Sequence, residues 1–185
     1  MMKLFIKNMV CSRCIMVVKL EIEYFGFHCG KIELGSVEIE ENLNSEQIEM
    51  VRAALMICGL ELINNRKHIL VERIKIAIVE MVNYSDSRIK YNFSEYLSAK
   101  LGLDYTYMAN TFSELEASTI ERFIIFHKIQ KAKALIAYND LNLKEISWKL
   151  NYSSVAHLSS QFKKITGLTP SQFKQSSYQL AQHKV

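Results

Sequence analysis

Two cysteines separated by two residues, Cys11 and Cys14, sit in the stretch MVCSRC near the start of the chain. Two thiolates at this spacing, one on a loop and one entering a helix, can converge on a single soft ion such as Cu(I). The same pair can serve as a redox dithiol or pack as two small apolar side chains. A helix N-terminus, together with neighbouring Arg13, favours thiolate over thiol. Zn²⁺ would want four ligands, so two thiols alone make an incomplete zinc site.

Little else in the chain points to catalysis. The five histidines, His28, His68, His127, His157 and His183, are scattered without ligand spacing. There is no glycine-rich phosphate loop and no Ser/His/Asp order, so no enzyme is expected. The other chemistry-bearing residues lie in the second half. There, short polar and small side chains fall on one face of two similar helices, with lysines beside them.

The bulk composition is that of an ordinary globular protein, with 49% apolar and 23% charged residues and a single proline among 185. MMKLFIKNMV is too short and too polar for a signal peptide, and no run is long enough to span a bilayer. A cytoplasmic protein is expected, with its cysteines reduced rather than paired in disulfides. The charge is uneven: residues 1–74 hold nine Lys/Arg against ten Glu, and residues 75–185 hold fourteen against nine Asp/Glu. A near-neutral front and a basic back suit a back half that meets a polyanion.

The hydrophobic period divides the chain in the same place. KLFIKN reads as a strand, and CSRCIMVVKLEIEYFG as a helix with Ile15, Val18, Ile22 and Phe25 on one face. KIELGSVEIEE reads as two strands around a turn at Gly35, and SEQIEMVRAALMICG as a helix capped at Ser45. Its inner stripe is Ile48, Val51, Leu55 and Cys58; LELIN follows as a last strand. This strand-helix-strand-strand-helix-strand order predicts a ferredoxin-like α/β sandwich over residues 1–65. In that topology Cys58 comes near the Cys11–Cys14 loop and is the candidate third ligand, although its stripe position favours a buried core thiol. His28 and Cys29 fall at the opposite edge and are read as structural, and Met9 is expected to pack inward.

Residues 66–185 read as helical throughout, giving an α+β chain overall. Within them the sequence repeats: LSAKLGLD (97–104) parallels ISWKLNYS (146–153), and Phe112 and Phe162 lie 50 apart. Each copy opens on an Asn-x-x-Glu capping box, Asn92/Glu95 and Asn142/Glu145. Each turns at a residue that tolerates left-handed backbone, Gly102 or Asn151, and reopens at an N-cap, Asp104 or Ser153. The pattern is two helix-turn-helix units, about 92–115 and 142–166, joined by a linker helix at about 118–138. Met108, Phe112, Leu158 and Phe162 are expected inside; Trp148 and Tyr152 are read as core.

The stretch ISWKLNYS, running into FKKITGLTPSQFK at 162–174, resembles the DNA-binding domain of AraC-type transcription regulators. The first unit fits the same pattern through Leu97, Gly102, Met108 and Phe112, followed by IQKAKALI. The resemblance covers about residues 67–176 and implies two recognition helices entering successive major grooves about one DNA turn apart, on the order of 34 Å. It implies base-facing positions at Thr106, Ala109 and Asn110, and at Val155, Ala156, Ser159 and Ser160. Asn110 is the best single candidate for direct readout, since a carboxamide pairs with adenine N6 and N7. Neither face carries an arginine, so modest specificity per molecule is expected, with DNA shape or a homodimer on DNA supplying the rest. Lys100, Lys149, Lys163 and Lys164 flank these helices and are placed to neutralise phosphates.

Residues 2–64 resemble the heavy-metal-associated domain of copper chaperones and metal-pumping ATPases, on the strand, Met-x-Cys-x-x-Cys, helix order. Asn8 and Val10 stand where that family usually has Gly and Thr. The combined resemblance implies a transcription regulator with double-stranded DNA as partner, RNA polymerase as a further one, and no membrane. Its amino-terminal CxxC is expected to take Cu(I), another soft metal or a thiol-reactive signal. The alternative is a metallochaperone or metal buffer whose helical half is a docking module.

Overall fold

The computed structural model describes residues 1–84, 92–138 and 141–182. The amino-terminal part runs β1 (Met2–Lys7), α1 (Ser12–Tyr24), β2 (Cys29–Glu33), β3 (Ser36–Ile39), α2 (Ser45–Ile57) and β4 (Glu61–Ile63). The four strands form one antiparallel sheet in the order β2-β3-β1-β4. Leu4 and Ile6 of β1 and Val37 and Ile39 of β3 pack with Val18 and Ile22 of α1 and Val51 and Leu55 of α2 to make the core. The apolar stripes read from the sequence are therefore the faces that dehydrate the sheet.

The start of α2 differs by one residue from the expectation. Asn44, not Ser45, is the N-cap: its side chain accepts from the Gln47 N–H at 2.9 Å, and the Gln47 amide oxygen accepts from the Asn44 N–H at 2.9 Å. This reciprocal box satisfies two donors at once, which a lone Ser45 hydroxyl would not. Cys58 departs further. It is the C-cap of α2 and exposed, with its thiol donating to Glu21 Oε1 at 3.6 Å, so it is not a core residue.

The helical part continues with α3 (Arg66–Tyr84), α4 (Phe93–Leu101), α5 (Tyr105–Glu116), α6 (Ile120–Tyr138), α7 (Leu143–Lys149), α8 (Val155–Thr166) and α9 (Pro170–Gln182). Two compact units emerge, one of Met1–Ala77 with Thr106–Leu115 and one of Ile78–Tyr105 with Glu116–Val185. Most of α5 thus belongs with the first unit, where Lys67 at the start of α3 donates to both Glu114 oxygens at 2.7 and 2.8 Å. In the second unit, Ile129, Ala132 and Ile136 of α6 pack with Ile146, Leu150, Leu158 and Phe162. No helix of the described residues is long and apolar enough to cross a membrane.

Gly35 makes the β2–β3 turn with φ +84°, and a Cβ there would fall 2.5 Å from Ile76 Cδ1. Gly35→Ala is expected to cost about 1–2 kcal/mol from the left-handed backbone alone. Gly30→Ala, where a Cβ meets only ordinary contacts beyond 3.5 Å, should stay within about 0.5 kcal/mol. Urea unfolding of the two variants checks the difference.

Candidate nucleic-acid interface

Each helix-turn-helix is built by the same local devices. The Glu95 carboxylate accepts from the Asn92 N–H at 3.4 Å, and that of Glu145 accepts from the Asn142 N–H at 2.7 Å. Asn142 in return accepts from the N–H groups of Lys144 and Glu145, both at 3.0 Å. The first helix of each pair then ends in left-handed backbone, at Gly102 with φ +69° and at Asn151 with φ +56°. Both residue types tolerate that region, so the chain reverses without strain.

The second turn is one residue longer than the first. The repeat spacing changes there from 49 to 50, since Leu97 matches Ile146 whereas Phe112 matches Phe162. The cap of α8 is consequently Ser154, whose hydroxyl accepts from the His157 N–H at 3.1 Å, and not Ser153. Ser153 instead meets His157 Nδ1 at 3.1 Å. Beyond these helices the repeat runs on. α5 and α8 end at left-handed Ala117 and Gly167, and Thr119 and Thr169 then cap α6 and α9 by accepting from Arg122 and Gln172.

Burial sorts α5 and α8 in the same way. Met108, Thr111 and Phe112 are buried on α5, and Leu158 and Phe162 on α8. At the matching outward positions Thr106 and Ala156 are exposed, Ala109 and Ser159 half-buried, and Asn110 and Ser160 exposed. Val155 is half-buried at the start of α8. Tyr105, expected to face outward, turns its hydroxyl back to Glu121 of α6, and burial followed by that hydrogen bond raises its pKa.

The four flanking lysines are not equivalent. Lys149, Lys163 and Lys164 are exposed. Lys100 is held by the Glu80 carboxylate and by the Tyr96 hydroxyl at 3.2 Å, so a phosphate would have to compete with an internal partner. Trp148, read from sequence as core, is instead 59% exposed on α7, whereas Tyr152 is buried. α7 buries Ile146 and Ser147, which turns Trp148 to the opposite side of a two-turn helix.

One residue of the site was invisible to periodicity. Lys128 of α6 is buried, its ammonium 4.6 Å from the centre of the Phe93 ring and 5.0 Å from that of Tyr152. Phe93 opens α4 and Tyr152 lies in the turn before α8, so one cation bridges parts of both helix-turn-helix units. Burial lowers its pKa to about 8 and pushes that of Tyr152 up to about 12. A lysine in the middle of a helix gives no hint of this.

In the first unit, MVCSRC is positioned by its neighbours. Asn8 leaves β1 with φ +71°, the region glycine favours, and its side chain donates to the Gly59 carbonyl at 3.2 Å. Met9 is buried, as expected, with its sulfur accepting from the Gly35 N–H at 3.3 Å. Cys11 is the N-cap of α1, and its Sγ lies 3.8 Å from that of Cys14. The backbone N–H of Cys14, then that of Arg13 and the Cys14 thiol, hold the exposed Cys11 thiol below its usual pKa. Burial followed by Glu21 raises that of Cys58. Among the described residues no three His, Cys, Asp or Glu side chains gather as a metal site.

Residues 97–176 match the model of a family described as a helix-turn-helix domain. No curated protein matches the chain. A DNA-binding transcriptional dual regulator from Escherichia coli K-12 is similar at 17% identity and a TM-score of 0.50, over 60% of this chain and 93% of that one. The C-terminal domain of AraT, a response regulator from Geobacillus stearothermophilus, is similar at 20% identity and a TM-score of 0.50, over 60% and 88%. Residues 97–176 therefore carry a helix-turn-helix domain, and the helical half shares its fold with these two structures.

Because Lys128 is far less basic folded than unfolded, unfolding takes up a proton between about pH 8 and its ordinary value of 10.5. Stability should therefore rise with pH across that window, by at most about 1.4 kcal/mol per unit. Lys128→Met should remove this rise; chemical denaturation of both proteins at pH 7.5, 9 and 10 measures it.

Proposed function

We propose that the chain is a sequence-specific DNA-binding transcription regulator of the AraC type. The observation that carries this reading is the equivalence of α5 and α8, which bury matching apolar residues and leave small or polar side chains outward at matching positions. Thr106, Ala109 and Asn110 read one stretch of major groove, and Val155, Ala156, Ser159 and Ser160 read another. Asn110 supplies the one bidentate contact. Lys149, Lys163 and Lys164 take phosphates, and Lys100 does so on leaving Glu80. Activity in a cell would engage RNA polymerase and, given the sparse base readout, a second copy on the same DNA.

The amino-terminal domain has the strand order and helix placement of a ferredoxin-like sandwich, which supports a domain of the heavy-metal-associated type over residues 1–65. Two sulfurs 3.8 Å apart at an exposed helix start suit a two-coordinate soft ion such as Cu(I) and fall short of the four ligands of structural zinc. Cys11 and Cys14 would hold such an ion. Left-handed Asn8 does the work of the glycine usual in that family.

Fluorescence anisotropy of the reduced full chain, against duplex from upstream of its own gene, tests both parts. Affinity should fall steeply with salt, and Lys163→Ala and Lys164→Ala should each reduce the salt slope by about one. Asn110→Ala should cost about 1–3 kcal/mol on the preferred site and less on other sequences. Cu(I) loading should shift the affinity of the native chain and leave Cys11→Ser/Cys14→Ser unchanged. Salt-insensitive binding, or none, would overturn the regulator, and a Cu(I) response surviving the double change would overturn the cysteine site.

A further inference from the structure

α6 and α8 share one core through Ile129 and Ala132 on the first and Leu158 and Phe162 on the second. Where the start of α6 passes the end of α8 they leave a cleft of about 510 Å³, within the range of small-molecule sites. Phe123 and Phe126 of α6 and Ile165 of α8 give it an apolar lining, and each helix adds one cation, Arg122 and Lys164. Phe126 and Ile165 are 47% and 37% exposed, so water meets apolar surface there. Gln161, which also lines the cleft, makes a further demand. Its Oε1 is buried and has no hydrogen-bond partner among the described residues. An acceptor shielded from water without a donor is costly, and a ligand that brings one removes the cost.

We infer that this cleft binds a small organic carboxylate with an apolar body and a hydrogen-bond donor. The body lies against the two phenylalanines, a hydroxyl or N–H donates to Gln161 Oε1, and Arg122 and Lys164 take the carboxylate. A guanidinium suits that anion, because its parallel N–H groups match the two oxygens. Among the described residues no carboxylate pairs with either cation. Size separates this occupant from a protein partner: eight residues line the cleft, against about 20–30 on each side of a stable protein contact. Lys164 is also one of the lysines proposed to meet phosphate. A carboxylate held there withdraws its charge, so ligand and duplex oppose one another, each weakening the other by the same factor. That coupling rests on the DNA-binding reading; occupation of the cleft does not.

Titration calorimetry of the reduced full chain with para-hydroxyphenylacetate and indoleacetate tests the cleft. At least one should bind with a Kd of about 1 mM or tighter. The uncharged para-hydroxyphenylacetamide and bare acetate should bind at least about tenfold more weakly, lacking the anion and the apolar body respectively. Arg122→Gln should weaken binding about tenfold. Phe126→Glu, which sets a like charge at the cleft, should abolish it, and both variants should keep the native melting temperature. In anisotropy, saturating acid should lower the native chain's affinity for duplex about fivefold or more. The same concentration should leave Phe126→Glu unchanged. No binding of either acid, equal binding of acid and amide, or binding that survives the paired Arg122→Gln/Phe126→Glu substitution overturns the site. Acid binding that leaves DNA affinity unchanged overturns the coupling. A chain that takes the acid and binds no duplex strikes the DNA-binding reading and leaves the cleft standing.

Discussion

The constraint on which the helical half depends is the burial of two aromatic rings. Phe112 and Phe162 are fully buried, and each fixes the rotation of its helix about its own axis. With Met108 and Leu158 one turn earlier, each makes an i, i+4 stripe that cannot be turned to water without losing several kcal/mol of buried apolar surface. The outward residues are then decided without further choice. Asn110 and Ser160 are exposed because Phe112 and Phe162 are not. Caps and left-handed turns refine this arrangement, but they only decide where each helix begins and stops.

At the positions named above both helices accordingly present small side chains, threonine, alanine, serine and one asparagine, beside exposed Tyr107 on α5 and His157 on α8. On the proposed reading such faces would approach DNA closely and discriminate weakly, because no guanidinium forks onto guanine. Phosphate contact would then supply much of the affinity, in keeping with the basic charge of the second half. Lys128 stands apart from this. Among the described residues it is the buried cation, its ammonium packed on the Phe93 and Tyr152 rings.

Much of this was legible in the sequence, since period and turn chemistry are local properties. The strand and helix order, the two Asn-Glu boxes, the turns at Gly102 and Asn151 and the buried stripes all follow from patterns a few residues long. The misreadings have equally local causes. Asn44 and Ser154 cap where Ser45 and Ser153 were expected, because two adjacent polar residues can each cap and only the backbone decides. Trp148 was assigned to the core on residue type, although Ile146 and Ser147 had already taken the inner side of α7. Cys58 sits one residue past the end of α2, where the helical stripe no longer applies. Lys128 needed rings from two distant segments, which no window on the sequence contains.

The central claim is that α5 and α8 both read DNA. It is tested most directly by selecting bound duplexes from a random pool with the full chain and footprinting the winners with hydroxyl radicals. Two short protected blocks about one helical turn apart, roughly 10 base pairs, are the expected result. Failure to enrich any sequence at low salt, or enrichment with a single block that Asn110→Ala leaves unaltered, would contradict it.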